Sequence, residues 1–272
     1  MSSPVTSQLL EQEIMAEEPW CSETKLYQPY EAEQILLAEN ASCLAVKAYL
    51  NMCNLPYTTE PCANAEYMSP GGHMTKLPVL QCGAFVVSEL EPIVNLVERK
   101  GFSLTAQMDV DEKNDLRAYL SLTEKIFTNA ELYICWMDKQ TLEEVTYRRY
   151  GSVYPWPLNH IQNYRKRNAV VKKLKVFNWA SYTNEQVVKK VRKCCVFLKE
   201  KLGNNQYFYG DSPTELDALV FGHIFTILTT PLPNNNLQHL IKNNFGTLVD
   251  LCFRIEKEYF SKIPEVSTHK NK

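Results

Sequence analysis

The longest segment of the chain that can hardly face water is Thr214-Glu215-Leu216-Asp217-Ala218-Leu219-Val220-Phe221-Gly222-His223-Ile224-Phe225-Thr226-Ile227-Leu228. Apolar residues fall on every side of this helical segment rather than on one stripe, which predicts a helix that is buried all round. Pro213 stands before the segment, and Pro231 and Pro233 end the helix. We therefore expect the rest of the chain to be arranged around this helix.

The segment also carries a start signal. Thr214 and Asp217 have the spacing of a capping box, in which the Thr214 hydroxyl accepts a hydrogen bond from the Asp217 N–H. The Asp217 carboxylate in turn accepts from the Thr214 N–H and faces the positive end of the helix dipole. These two residues are predicted to cap the helix and have a structural role.

A membrane span is the alternative for this segment. Leu216 to Leu232 would be about 25 Å long as a helix, which is short of the ~30 Å hydrocarbon core. The segment also contains Asp217, Gly222 and His223. A buried core helix is the favoured interpretation, and His223 is expected to be a hydrogen-bonded core histidine rather than a ligand.

Composition excludes several classes of protein. The 272 residues are enough for one large or two modest domains, and the net charge of −2 gives no nucleic-acid signal. Nine cysteines, an odd number without a CxxC pair, predict free thiols in a reducing compartment. The acidic start, with Glu11, Glu13, Glu17 and Glu18, is not expected to be a secretory signal or a mitochondrial presequence. The vicinal pair Cys194-Cys195 is either redox-active or, as we favour, part of a helix with buried thiols.

The first hundred residues predict a small sheet covered by helices. The order is strand Gln34–Ala38, helix Ala41–Cys53, strand Tyr57–Cys62, a short helix Ala63–Met68, a hairpin of residues 77–81 and 84–87, and a helix that Ser88 would cap. Pro78 opens the third strand, as in thioredoxin-like domains, where this peptide is usually cis. The isomer itself cannot be predicted from sequence.

From Asp109 onward the pattern is helical. Asp109–Met137 is one long helix, and Thr141–Glu144 matches a second capping box. Gly151–Leu158 contains two prolines and must interrupt any helix. Further helices are predicted over 159–175, 183–202, 214–230 and 236–262. We divide the chain into a flexible extension (1–22), a thioredoxin-like domain (23–102), an all-α domain (109–262) and a disordered tail (263–272).

A thioredoxin-like domain followed by an all-α domain is an α+β arrangement that resembles the glutathione transferase superfamily. Five segments make the resemblance more specific, and through them the chain is similar to the metaxin family: 33–37, 63–70, 86–90, Tyr154-Pro155-Trp156-Pro157-Leu158-Asn159-His160-Ile161 and 213–223. Metaxins are import and assembly factors of the mitochondrial outer membrane in animals.

The resemblance to transferases implies two chemical requirements. The first helix should begin near a hydroxyl or thiol that holds or forms a thiolate, and by counting this position falls on Asn40, which can do neither. The helix after the hairpin should begin with an acid and a Ser, but the chain has Glu89-Leu90, with Ser88 one residue too early. Cys43 and the adjacent Ser42 are the surviving candidates, and packing is the favoured role for Cys43. No catalytic residue, cofactor or metal site is predicted.

Two surfaces could bind a partner. Arg165, Lys166, Arg167, Lys172 and Lys173, with Lys175, form a basic cluster that could face anionic lipid or an acidic protein, or could simply be solvated. A second basic cluster comprises 189–193. Tyr154 and Trp156, which alternate with Pro155 and Pro157, are either a partner contact or a packed corner between the domains, and the sequence favours neither.

The resemblance to metaxins implies a subunit without catalysis. It would associate with a membrane-anchored metaxin-1-like partner and with the β-barrel assembly machinery, on the cytosolic face of the mitochondrial outer membrane. No terminal transmembrane segment is expected, so attachment would be peripheral. The alternative is a cytosolic glutathione or thiol transferase with an altered site. Nucleic acid is not an expected partner.

Overall fold

The computed structural model describes residues 19–63, 68 and 76–261. Most of the predicted N-terminal extension, most of the predicted helix Ala63–Met68 and the predicted tail lie outside the described residues. The domain boundaries that we infer from sequence remain predictions.

A four-stranded sheet forms the first half of the chain. Its spatial order is β2-β1-β3-β4, with β1 and β2 parallel and the other two pairs antiparallel. This is the mixed sheet that we expect of a thioredoxin-like domain. The strands are β1 (Lys25–Gln28), β2 (Thr58–Pro61), β3 (Val79–Cys82) and β4 (Phe85–Ser88).

The predicted first strand, Gln34–Ala38, is wrong. These residues are largely buried, but they lead into helix α1 (Leu37–Met52), with Leu36 at its N-cap. A short continuous apolar run does not distinguish a strand from the start of a buried helix. The real strand, β1, has the alternation typical of a sheet, since Leu26 and Gln28 are buried and Lys25 and Tyr27 are half-buried.

The hairpin leads directly into helix α2 (Leu90–Arg99). Leu77-Pro78 is a cis peptide. The predicted Ser88 cap is wrong, because Ser88 is the last residue of β4 and pairs with Val79. Glu89 occupies the N-cap with a φ of 69° and makes no side-chain capping bond.

The second half of the chain is helical. Its helices are α3 (Val110–Trp136), α4 (Lys139–Thr141 and Tyr147–Gly151, joined by a π-turn over Leu142–Thr146), α5 (Leu158–Val176), α6 (Asn184–Leu202), α7 (Glu215–Thr229), α8 (Asn236–Asn244) and α9 (Gly246–Ile255). The predicted single helix over 236–262 is wrong, since Phe245, with φ −131° and ψ 50°, separates α8 from α9. Its side chain is buried there.

The predicted capping box at Thr141–Glu144 is also wrong. The start of α4 is capped three residues earlier by Asp138, whose Oδ2 accepts from the Thr141 N–H at 3.0 Å and the Thr141 hydroxyl at 2.8 Å. Thr141 therefore donates to the N-cap residue Asp138 and is not itself the N-cap.

Helix α7 lies at the centre of the molecule, as its composition predicts. Nearly all of its residues are buried. A capping box forms at its start, where Asp217 Oδ2 accepts from the Thr214 N–H and the Thr214 hydroxyl, both at 2.8 Å. Asp217 Oδ1 accepts a further bond from the Phe208 N–H at 3.1 Å. The carboxylate thus joins two chain segments as well as capping the helix.

The two halves of the chain meet where α7 crosses α1. A Cβ added to Gly222 would lie 2.3 Å from the Ala41 carbonyl oxygen and 2.8 Å from the Ala45 Cβ. Ordinary van der Waals contact needs at least 3.4 Å. The helices can approach this closely because both present small residues, and this contact sets the position of the sheet domain on the helical domain.

Candidate functional site

The start of α1 is where a transferase would carry its reactive group. Asn40 lies in the first turns of the helix, half-buried, with its N–H donating to the Leu36 carbonyl at 2.8 Å. Ser42 is half-buried and Cys43 is buried. Burial raises the pKa of the Cys43 thiol to about 12. A thiol with this pKa is a poor source of thiolate at neutral pH.

The other predicted transferase positions lie together at the start of α2. The Pro78 carbonyl accepts from the Glu89 N–H at 3.3 Å, and Leu90 is the first residue of the helix. Glu89 Oε1 is 3.2 Å from Lys76 Nζ in an exposed ion pair. Leu90 provides no hydroxyl where a substrate carboxylate would need a donor.

A cleft of about 870 Å³ begins at Leu90 and extends between α2 and α3. One wall is the α2 face that includes Glu91, Val94 and Glu98, and the other follows α3 from Lys113 to Asn129. The described lining contains no Cys, His or Tyr side chain. It therefore offers room for a ligand, but neither a thiol nucleophile nor an imidazole base.

Glu215 and Asn129 form the most buried polar part of this cleft. The Thr105 hydroxyl lies 3.3 Å from Glu215 Oε1 and 3.4 Å from Glu98 Oε1, so it can serve only one carboxylate at a time. Glu215 Oε2 and Asn129 Oδ1 have no hydrogen-bond partner among the described residues. Burial raises the pKa of Glu215, and the nearby Glu98 carboxylate adds to this shift.

A buried acid–histidine pair lies in the core of the helical domain. His223 Nδ1 is 2.7 Å from Glu131 Oε1, both side chains are buried, and the His223 ring stacks on Phe127. Burial raises the pKa of Glu131, although the contact with His223 opposes the shift. His223 is thus a hydrogen-bonded core residue, as we expect from sequence. The sequence also indicates that Glu131 is unusual, since it is the single charged residue within the apolar run 130–136.

The vicinal cysteines of α6 lie in the core. Cys194 and Cys195 form no disulfide, and both are buried. Burial raises the pKa of Cys194 to about 12 and that of Cys195 further. No group of three or more His, Cys, Asp or Glu within 19–63, 68 and 76–261 could hold a metal ion.

The Tyr-Pro-Trp-Pro loop contains one packed and one exposed aromatic side chain. Tyr154 is half-buried, and its hydroxyl donates to the Ala63 carbonyl at 3.1 Å, across the contact between the domains. Trp156 is 79% exposed. Tyr154 therefore belongs to a packed corner, whereas the Trp156 ring is available to a partner.

The side chains of the basic cluster on α5 have different surroundings. Lys166 Nζ is 3.0 Å from Glu39 Oε1 on α1, and this pair links the two domains. The contact with Lys166 is the main reason that the pKa of Glu39 is lowered although burial opposes it. Lys173 lines the cleft. Arg165, Arg167 and Lys172 are exposed.

No helix within the described part of the chain is long and apolar enough to cross a membrane. This includes α7, which has 15 residues, nearly all of them buried.

Comparison with known proteins agrees with this geometry. Residues 43–167 match the family model described as "Outer mitochondrial membrane transport complex protein", and residues 191–255 match that of the glutathione S-transferase C-terminal domain. A glutathione S-transferase from Ceriporiopsis subvermispora, solved in complex with glutathione, matches 89% of the chain and 99% of its own, with a TM-score of 0.59 at 14% identity. This likeness shows the fold, which is transferase-like.

Sequence similarity is much higher to metaxins. The chain is 48% identical to Metaxin-2 of Homo sapiens over 248 residues, which cover 91% of this chain and 93% of that protein. It is 34% identical to the Metaxin-2 homolog of Caenorhabditis elegans, over 84% of this chain and 98% of that protein. The chain with this transferase-like fold therefore belongs to the metaxin family.

Proposed function

We propose that the protein is a non-catalytic subunit of a protein import, sorting and assembly complex of the mitochondrial outer membrane. It would act in β-barrel protein insertion, through association with a membrane-anchored metaxin-1-like partner. It would lie on the cytosolic face as a peripheral protein. Membership of the metaxin family supports the complex, and the state of the transferase positions supports the absence of catalysis.

The observation that carries the proposal is a transferase fold without transferase chemistry. Asn40 stands at the position of the reactive group, Leu90 replaces a hydroxyl, and the nearest thiol, Cys43, is buried with a pKa of about 12. A fold alone does not determine an activity, and here the residues that would perform it differ. What remains is a scaffold with a cleft and exposed surfaces.

Fractionation of cells tests the location. The protein should be found on mitochondria, be extracted by alkaline carbonate and be degraded by protease added to intact organelles. Affinity purification should recover the membrane-anchored partner. A protein found wholly in the cytosol and retained on glutathione resin would contradict the proposal and favour a thiol transferase.

A pair of matched variants tests the chemistry. In cells that lack the protein, Cys43→Ala should restore β-barrel assembly as well as the unmodified chain does, because a buried neutral thiol contributes only packing. Cys135→Ala is the control, since Cys135 is equally buried and burial raises its pKa to about 12 as well. Loss of assembly with folded Cys43→Ala but not with Cys135→Ala would show that the Cys43 thiol has a chemical role.

A further inference from the structure

Helix α5 has an unusual charge. Leu158–Val176 contains six Lys or Arg residues and no Asp or Glu. The other basic segment, on α6, includes Glu185 and Glu200 within the same helix. All six basic residues of α5 lie between Arg165 and Lys175, so the C-terminal half of this 19-residue helix attracts anionic partners.

Apolar and basic residues share the outer side of this helix. Asn163, Val170 and Leu174 are buried and define its inner side. At 100° per residue, the opposite side carries residues spaced by three or four positions. We define the α5 face as this outer set together with the preceding loop residue: Trp156, Leu158, Ile161, Tyr164, Arg165 and Lys172.

These side chains are exposed to solvent. Trp156 is 79% exposed, Tyr164 68%, Ile161 50% and Leu158 39%. Arg165 and Lys172 are exposed, as is Lys175 beside them, and none of the three forms an ion pair with a described residue. This contrasts with Lys166, which is paired with Glu39. The α5 face is therefore an exposed surface without an ion-pair partner among the residues that the structure describes.

We propose that the α5 face binds the anionic surface of a lipid bilayer directly. Trp and Tyr rings favour the boundary between headgroups and hydrocarbon, and Leu and Ile can enter the outer hydrocarbon beside them. The cations follow these residues along the helix and would contact lipid phosphates or carboxylates. An apolar half followed by a basic half presents an extended surface, which suits a bilayer better than an acidic peptide that binds at one point.

The contact goes beyond the proposed function, because a subunit held only by a protein partner would not need it. The purified full-length chain can test it without any partner. Flotation with phosphatidylcholine vesicles, with and without phosphatidylserine, measures binding. We expect binding to the phosphatidylserine vesicles, weakened by added salt, and a blue shift of tryptophan emission that Trp156→Phe removes, since the other three tryptophans are partly or fully buried.

Matched charge variants identify the surface. The triple variant Arg165→Gln, Lys172→Gln, Lys175→Gln should lower vesicle binding by roughly 100-fold, since each of the three cations near an anionic membrane contributes about fivefold. The control Lys189→Gln, Lys190→Gln, Lys193→Gln removes the same charge from exposed positions on α6 and should bind like the unmodified chain.

Three results would overturn the proposal. The first is no binding to phosphatidylserine vesicles, and the second is equal weakening by both triple variants, which would mean non-specific attraction. The third is that the α5 triple variant no longer binds the membrane-anchored protein partner while the unmodified chain does not bind vesicles. In that case the α5 face is a protein interface. Mitochondrial location could persist in all three, so failure here is distinct from failure of the proposed function.

Discussion

Replacing Gly222 with Ala should separate the two helices that join the domains. The new Cβ would lie 2.3 Å from the Ala41 carbonyl oxygen and 2.8 Å from the Ala45 nitrogen. Two of the close atoms therefore belong to the backbone of α1, and no side-chain rotation can move them. The helices must move apart by about 1 Å to restore normal contact, which disturbs packing along the whole contact.

The free energy of unfolding should fall. Overpacking a core costs about 1–3 kcal/mol, and occasionally more where the backbone must shift. Ala instead of Gly in a helix interior favours folding by about 1 kcal/mol. Because the clash involves backbone atoms, we expect the upper part of the range and a net loss of about 2 kcal/mol. Urea unfolding followed by circular dichroism measures it.

Gly246→Ala is the control for helix propensity. Gly246 is the first residue of α9, and a Cβ added there meets nothing within 4 Å. This variant should be as stable as the unmodified chain or slightly more stable. If Gly222→Ala also proves neutral or stabilising, the close crossing of α1 and α7 does not exist as described, and the reasoning fails. Adding Ala45→Gly should recover only part of the loss, because the Ala41 carbonyl remains in the way.

Two further predictions concern buried carboxylates. Asp217→Ala should lower the free energy of unfolding by about 2–4 kcal/mol, because it leaves the buried N–H groups of Thr214 and Phe208 without acceptors. The control Asp109→Ala, at the exposed cap of α3, should lower it by only about 1 kcal/mol. Equal losses in urea unfolding would contradict the buried role of Asp217. Burial raises the pKa of Asp217 from 3.8 to about 7, so between these values the folded chain holds a proton that the unfolded chain has released. Stability should therefore fall by roughly 4 kcal/mol as the pH rises from about 4 to about 7. Glu131 and Glu215, whose pKa values burial also raises, act in the same direction, and Asp217→Asn should reduce the slope; stability that rises over this range would refute the assignment.

Sequence predicts best the elements that carry local signals. Helices α3, α6 and α7 start within two residues of their predicted positions, because Asp109, Thr183 and Thr214 form capping boxes with residues three positions later. Prediction from sequence fails where contacts with distant parts of the chain outweigh a local signal. Ser88 cannot cap α2 because β4 uses it, and the apolar run at 34–38 is buried by helices rather than by a sheet.

The residues of the candidate site are assigned by sequence, and only their surroundings come from the structure. Counting along the chain assigns Asn40, Cys43 and Leu90 to the transferase positions, and the proposed loss of chemistry rests on their residue types. The packing of Tyr154, in contrast to the exposure of Trp156, was not predictable, because the Tyr154 hydroxyl bonds to Ala63, 91 positions away in the sequence. The same holds for Lys166, whose partner Glu39 is 127 positions away. Sequence identified the basic cluster, whereas only the fold separates the cation that joins the domains from those that remain exposed.

This separation makes the surface testable. The residues that hold the domains together, Gly222, Tyr154 and Lys166, contact α1 or the segment that follows β2, so their replacement should lower stability. Arg165, Lys172 and Trp156 make few contacts within the chain, and exposed substitutions away from caps and ion pairs usually change stability by less than about 0.5 kcal/mol. A variant of the second group that unfolds like the unmodified chain but no longer binds vesicles would therefore have lost a binding surface and not a folded structure. Variants of the first group cannot support that conclusion, because any loss of binding would accompany loss of folded protein.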